Sequence, residues 1–413
     1  MFASWNRLSL ATQILVCMAL GVVAGVALGD RMALAKPVGD MFIASIQMMV
    51  ILIIAPSLIS GFCSVDNPGD IGKTGMKIVG LFAVLTLFAG FFALFMVNTI
   101  KPGVGMVIQP PDGYVYQATT QSAVDMIKNI IPKNPVKAFA DGNLLQILFV
   151  TILFASIMTV STDKKSVLRS FFDDWARVAM NMLGFIMKFA PYATFALIGW
   201  SVGVNGPQIL GPLAFFIICL WGCEFLLLLL NVGLVALFGM NPLVFLKNMF
   251  EVILLALSTC SSLACLGVNL KAVERMGVPK GLGTFGITLG NTVNQAGTTF
   301  YQTFATIFIA QAYGVDLPLS AQVAIMTMAT LITIAAVGVP GVGTATIGVI
   351  LLSAGLPPEG LGFILAVDRI VDMPRTMNNV VGDAASTLIA SKLDGFLAPD
   401  SILLKKSSAA AEA

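Results

Sequence analysis

The segment LGFILAVDRIVDMPRTMNNVVGDAASTLIASKLDG places Asp368, Asp372, Arg375, Thr376, Asn379 and Asp383 at spacings i, i+4, i+7, i+8, i+11 and i+15. At 3.6 residues per turn they share a sector of about 100 degrees, while Ile370, Val371, Met377 and Val381 lie elsewhere. One face of an otherwise apolar helix therefore carries three acids and a base. Pro374 also frees a backbone carbonyl near Ile370, which becomes available as a ligand. Upstream, GNTVNQAGTTFYQ sets Asn294 and Thr298 at i and i+4 on one helical face, with Gly290 and Gly297 allowing close backbone approach. Oxygen and amide ligands without histidine or thiolate suit a hard monovalent cation, and sodium fits better than a transition metal.

The rest of the chain makes that stripe costly. Of 413 residues, 57% are hydrophobic and 11% charged, with a mean hydropathy of +0.93, against roughly 25% charged residues in an ordinary soluble domain. A water-soluble globule is excluded, and at about 20 residues per spanning helix little is left for an extramembrane domain. A charged side chain at bilayer centre costs at least about 2.5 to 3.5 kcal/mol, so four on one face must meet protein, ions or substrate. A buried ion-pair network that only locks the bundle is the competing reading. The net charge of +2, with no basic run, excludes a nucleic-acid surface. Histidine is absent, which removes His-based zinc sites, general bases and proton relays. The six cysteines sit in apolar segments, never as CxxC, and read as packed thiols.

Apolar segments predict membrane helices at about 8–29, 42–63, 76–100, 144–160, 178–202 and 209–239. The first is too long for a signal-peptide core. Residues 101–142 read as a long surface loop with one short helix. Arg7, Lys73, Lys77, the cluster Lys164, Lys165, Arg169 and Arg177, and Lys405 and Lys406 fall on one side, which makes both termini cytoplasmic. Two further stretches, 242–275 and 319–356, are broken mid-way by STCSSLACLG and AAVGVPGVGTAT, as re-entrant hairpins are. Each is followed by a segment with polar residues in its interior, 284–312 and 361–393. Interrupted segments at corresponding positions of a duplication point to a transporter's midplane binding site. The fold class is an all-α polytopic membrane protein.

With those motifs in view, the chain resembles the dicarboxylate/amino acid:cation symporter family, the glutamate transporter family. DRIVDMPRTMNNVVGD is close to that family's eighth-helix signature, NQAGT stands where the family has NMDGT, and the broken stretches sit at its two hairpins. The likeness covers essentially the whole chain and is most specific over 242–395. It implies eight transmembrane helices plus two re-entrant hairpins in inverted repeats, and a homotrimer in the cell membrane. A scaffold of about 8–63 and 142–202 would hold a moving transport domain of about 76–100 and 205–395, with residues 396–413 a cytoplasmic tail. The same resemblance implies that Arg375 binds a substrate carboxylate, supported by Thr298, and a bidentate guanidinium suits that role. Asp372, helped by Thr376, would receive an amino group. Asn379, Ser262 and hairpin-tip N–H groups would hold the α-carboxylate, and Asp368 stands in support. The main sodium site would comprise Gly290, Asn294, Asn379 and Asp383; a second, built from backbone oxygens, would lie near Thr292, Thr333, Ile334 and Ala336. No cofactor is implied beyond sodium as coupling ion, with a proton as the alternative.

Several positions depart from the family pattern. Ala296 replaces the aspartate of NMDGT, and Phe82 and Leu85, with only Thr86 offering a hydroxyl, replace the third sodium site's other ligands, so fewer coupled sodium ions are expected. The arginine that members keep near the substrate's aspartate is Cys260 or Met373 here, and the first hairpin's usual proline is Gly267. Glu224 is an intramembrane acid, read either as a proton carrier or as a paired structural residue. Gln302 stands where some proton-cotransporting relatives have glutamate. The expected activity is sodium-driven uptake of glutamate or aspartate by an elevator motion. Alternatives are a proton-coupled or C4-dicarboxylate symporter, then a neutral amino acid transporter or an ion channel. An enzyme is disfavoured because Ser258, Ser261 and Ser262 have no histidine or well-placed lysine to activate them.

Overall fold

The computed structural model describes residues 10–63, 68–106, 131–141, 144–163, 165–333 and 342–404. Among them the chain is almost wholly helical and has no strand. The first half runs α1 (Leu10–Leu28), α2 (Lys36–Cys63), α3 (Pro68–Ile100), a short α4 (Pro135–Ala140), α5 (Leu144–Ser161), α6 (Val167–Met187) and α7 (Ala190–Asn205). The second half runs α8 (Leu210–Leu237), α9 (Pro242–Thr259), α10 (Ser262–Arg275), α11 (Lys280–Val293), α12 (Ala296–Ala312), α13 (Leu319–Thr333), α14 (Val342–Ser353) and α15 (Leu361–Leu393). The stretches Thr12–Phe42, Lys73–Ile100, Pro207–Leu237 and Pro242–Thr259 are each long and apolar enough to cross a membrane.

Two expected segments are not single helices. The apolar run 178–202 is divided between α6 and α7, which are bent by 50° relative to each other. Pro191, in the first turn of α7, has no N–H to donate to the Met187 carbonyl, so the first helix ends there. The run 284–312 is likewise interrupted. Asn294 (ψ 85°) and Gln295 (ψ 44°) leave the helical conformation between α11 and α12. The helical i, i+4 relation between Asn294 and Thr298 therefore does not hold, and each finds its own partners on α15.

The stretch 242–275 is interrupted within STCSSLACLG. Asn241 caps α9 through bonds from the Leu243 and Val244 N–H groups. The chain then turns at Cys260, whose φ of +51° is a left-handed conformation uncommon for a residue with a side chain. Ser261 caps the new helix by accepting from the Ala264 N–H. The two arms, α9 and α10, pack on each other and on α15. The arms of the second broken stretch, α13 and α14, also pack together. Its tip, with Ile334 and Ala336, lies outside the described residues.

Helix α15 is the hub. It packs against α8, α11, α12, α9, α10 and α3, and from Val371 to Ser391 every residue except Met373 is buried. Helix α12 is enclosed by α3, α15 and α13. Helix α1 lies along α7, where a Cβ at Gly25 would stand 2.7 Å from the Gly199 carbonyl oxygen. Small residues of this kind let membrane helices approach closely.

Candidate functional site

The middle of α15 presents Asp372, Arg375 and Thr376 in one buried cluster, at 1%, 3% and 3% exposure. Arg375 Nε donates to Asp372 Oδ1 at 3.0 Å, Nη2 reaches the same oxygen at 2.5 Å, and Thr376 Oγ1 donates to it at 2.8 Å. All three donors converge on one carboxylate oxygen. Asp372 Oδ2 and Arg375 Nη1 are buried and have no partner among the described residues. The guanidinium lies over the Tyr301 ring, 5.1 Å from its centroid, a cation–π contact. Tyr301 Oη meets Thr344 Oγ1 at 2.9 Å, and Thr344 in turn donates to Asp368. A Cβ at Gly343 would overlap Arg375 Nη1, so any other residue there would make the guanidinium shift. Gln302 Nε2 donates to the Gly343 carbonyl at 3.0 Å and to Thr346 Oγ1 at 2.5 Å, tying α12 to the start of α14.

One turn further along α15, Asn379 closes the break in front of α12. Its Oδ1 accepts from the Gly297 N–H at 2.9 Å and the Thr298 N–H at 3.4 Å. These are among the first N–H groups of a helix, which have no partner within it. Asn379 Nδ2 donates to Gln295 Oε1 at 2.7 Å and to Thr298 Oγ1 at 2.9 Å, and Thr298 Oγ1 donates to Gln295 Oε1 at 2.9 Å. Asn379 and Thr298 are thus brought together, joined by a glutamine that helical spacing does not single out.

Gly290, Asn294 and Asp383 also converge. Asn294 Nδ2 donates to Asp383 Oδ1 at 2.9 Å and to the Asn379 carbonyl at 3.3 Å. Asn294 Oδ1 is buried and has no partner among the described residues. A Cβ at Gly290 would lie 2.6 Å from the Asp383 carboxyl carbon. The Gly290 carbonyl accepts from the Asn294 N–H at 2.9 Å, and its second lone pair remains. An orphaned amide oxygen beside a carboxylate and a carbonyl is a donor set that fits a hard cation.

The other positions divide. Ser262 is buried at the first residue of α10. Thr333 is engaged with Thr299 at 2.7 Å and with the Thr330 carbonyl at 3.0 Å. Thr292 is half-buried in the last turn of α11. Phe82, Leu85 and Ala296 are buried, and Thr86 Oγ1 is buried without a partner among the described residues. Glu224 is fully buried on α8, where Asn378 Nδ2 donates to its Oε2 at 2.6 Å and to its backbone carbonyl at 2.7 Å.

The Ile370 carbonyl released by Pro374 is not bare: Trp221 Nε1 on α8 donates to one of its lone pairs at 3.0 Å. Trp221, Tyr301, Thr344, Gln295, Asn378 and Arg369 all enter the site region without having been singled out. Tyr301 follows Thr298 at i+3 and was within reach of helical spacing. Arg369, one residue off the polar stripe, carried no such signal.

The model of the sodium:dicarboxylate symporter family matches residues 10–393. The chain is 34% identical over 402 residues to the "Proton/sodium-glutamate symport protein" of Geobacillus stearothermophilus, covering 94% of this chain and 96% of the relative. It is 34% identical over 405 residues to the protein of the same name from Bacillus subtilis (strain 168), covering 95% and 94%. To the "C4-dicarboxylate transport protein" of Rhodopseudomonas palustris (strain HaA2) it is 32% identical over 406 residues, covering 96% and 91%. A buried pairing of acid and arginine on the last helix, an orphaned oxygen beside a second acid, and a family match across nearly the full length agree. This chain is a multi-pass membrane protein that belongs to the sodium:dicarboxylate symporter family.

Proposed function

We propose that this symporter takes up an acidic amino acid together with sodium. The observation that carries the substrate class is the pair of unused atoms at the centre of α15: Asp372 Oδ2 and Arg375 Nη1. An amino diacid supplies an ammonium for the first and a carboxylate for the second without breaking the Asp372–Arg375 bond. A buried polar atom left unpaired costs about 1 to 3 kcal/mol, more when charged, so a substrate that satisfies both is favoured over one that satisfies either. A dicarboxylate without an amine would leave Asp372 Oδ2 facing another anion. Ser262 receives the α-carboxylate together with Asn379, whose Nδ2 must first release Gln295 or Thr298, and Thr298, which donates to Gln295, can turn its hydroxyl to the substrate. Asp383, Asn294 Oδ1 and the Gly290 carbonyl hold the sodium ion. The apolar side chains of Phe82, Leu85 and Ala296, which offer no oxygen to an ion, support fewer coupled ions than three.

The remaining assignments rest on the family likeness. They are a trimer with both termini cytoplasmic, eight spans with two re-entrant hairpins, and an elevator motion of the unit built around α15 against α1, α2, α5, α6 and α7. The carboxylates Glu224 and Asp368 leave proton coupling, or carriage of a C4 dicarboxylate, as the second reading, which the names of the relatives favour.

Reconstitution of the full chain in proteoliposomes, with sodium or proton gradients imposed in turn, tests this. Labelled aspartate or glutamate should accumulate under a sodium gradient and exchange with unlabelled substrate. Uptake of succinate or serine without either amino diacid would overturn the substrate class, and accumulation under a proton gradient alone would overturn sodium coupling.

A further inference from the structure

Two arginines bind backbone carbonyls at helix ends, and they do so in opposite ways. Arg169, 8% exposed, clamps α5 to α6 with all of its nitrogens engaged. Its Nε donates to Thr162 Oγ1 at 2.9 Å, Nη1 to the Cys63 carbonyl at 3.3 Å, and Nη2 to the Thr159 and Thr162 carbonyls at 2.8 and 2.7 Å. Arg369, half-buried on α15, makes a single side-chain bond among the described residues: Nη2 donates to the Ser258 carbonyl at 2.8 Å. Its Nε is enclosed and has no acceptor. Arg169 is saturated. Arg369 holds its target by one contact and keeps donors in reserve, which is the property of a contact that opens and closes.

The target is the turn of the first broken stretch. Ser258 lies in the last turn of α9, where carbonyls point beyond the helix and attract cations. Two residues later Cys260 takes its left-handed conformation, and its thiol approaches the Arg369 carbonyl at 3.9 Å. Main chain and side chain of one residue on α15 therefore hold the end of α9 and the turn residue itself. Immediately after it come Ser261 and Ser262, the cap and first residue of α10.

We propose that Arg369 is a positioning residue: a latch that seats the tip of the first hairpin on the last helix and so presents Ser262 and the α10 N–H groups to the substrate. It supplies a cation at the tip although positions 260 and 373 carry none. A charge-assisted hydrogen bond across a gap between elements contributes enough for about a tenfold change in the seated population. Asp368, the neighbouring acid, is engaged by Thr344 on α14, so adjacent residues of α15 reach the two broken stretches separately.

The uptake part of the test rests on the symport function proposed above; the exchange part does not. In the full chain, Arg369→Ala should speed amide hydrogen exchange over residues 259–264 by about tenfold and raise the half-saturating substrate concentration by a similar factor. The maximal rate should change less. Arg369→Lys, which still offers a cationic donor, should recover at least part of both effects. Unchanged exchange at the tip in Arg369→Ala would overturn the latch, including when affinity falls, because the guanidinium would then act on substrate directly. Equal losses in the Ala and Lys variants, with a matching fall in thermal stability, would overturn it in favour of a fixed clamp like Arg169. If neither variant nor the parent takes up an amino diacid, the substrate assignment fails, and the exchange measurement still decides the latch.

Discussion

Helices α12 and α1 treat polarity in opposite ways. Every residue of α12 from Ala296 to Ala310 is buried, including Thr298, Thr299, Gln302, Thr303 and Thr306. In α1, a segment without a charged residue, Leu20, Val23 and Val26 are 53%, 66% and 58% exposed. A protein dissolved in water shows the reverse, since apolar side chains leave the solvent. The inversion follows when the solvent is hydrocarbon. Apolar surface then gains nothing by leaving it, while each polar group must find a partner inside. Burial in this molecule therefore marks where polar atoms are needed, and the needs converge on α15.

The sharpest way to break this comparison is to remove one charge from the centre and one apolar group from the rim. Arg375→Ala leaves Asp372 enclosed without its guanidinium, a change of about 3 to 5 kcal/mol for a buried pair broken on one side. Uptake should fall at least about a hundredfold and the thermal midpoint should drop. Val23→Ala on α1 should stay within about 0.5 kcal/mol, as surface changes do, with uptake intact. A large loss in Val23→Ala would show that this face of α1 packs on protein, as a subunit interface would.

Asp383→Asn tests the second polar centre with a smaller expected effect. The amide keeps the shape and still accepts from Asn294 Nδ2, but the charge facing Asn294 Oδ1 is gone. The sodium concentration giving half-maximal uptake should rise at least about tenfold, while affinity for substrate at saturating sodium changes less. An unaltered sodium dependence would move the ion elsewhere. Gly343→Ala is milder again, because the guanidinium has a flexible stem. The new methyl would displace Arg375 Nη1 and approach Thr298 Cγ2 at 3.2 Å. The half-saturating substrate concentration should rise several-fold with little change in stability. Equal affinity would mean that Nη1 does not meet the substrate.

The same comparison explains what the sequence makes legible. The stripe on α15 is readable because helical periodicity is local and the apolar background is uniform, so six polar residues on one face stand out. The hairpin turn at Cys260–Ser261 is readable because serine caps and small residues break an apolar run. The break at Asn294–Gln295 is not, because it is held open by Asn379, which is distant in sequence and satisfies the freed N–H groups. Trp221 over the Ile370 carbonyl is equally invisible, since no spacing rule connects α8 to α15. The bend at Lys188–Phe189 was foreshadowed by Pro191 but masked by an apolar run that continues through it. Local pattern identifies the helices and the polar face; the long-range bonds that decide which oxygens are free come only with the fold.

The least effect is expected where a charge pair sits at the rim of α15 and not at its centre. Asp394, just past the end of that helix, accepts from Lys77 and, at 2.5 Å, from Thr74 Oγ1, joining α3 to the end of α15. The Lys77 hydrogen bond first, then that from Thr74, hold its carboxyl below the usual carboxylate range. A carboxylate whose folded pKa is depressed contributes stability above its unfolded pKa of about 3.9 and loses it as pH falls through the folded value. The thermal midpoint of Asp394→Asn should therefore lie slightly below that of the parent at pH 7, and the gap should close on acidification below about pH 4. Because water and ions reach this pair, the gap should also narrow in about 1 M salt, whereas the Arg375→Ala deficit should not. A gap that ignores both pH and salt would assign the Asp394 contribution to packing, and the electrostatic contrast between rim and centre would fail at its weakest point.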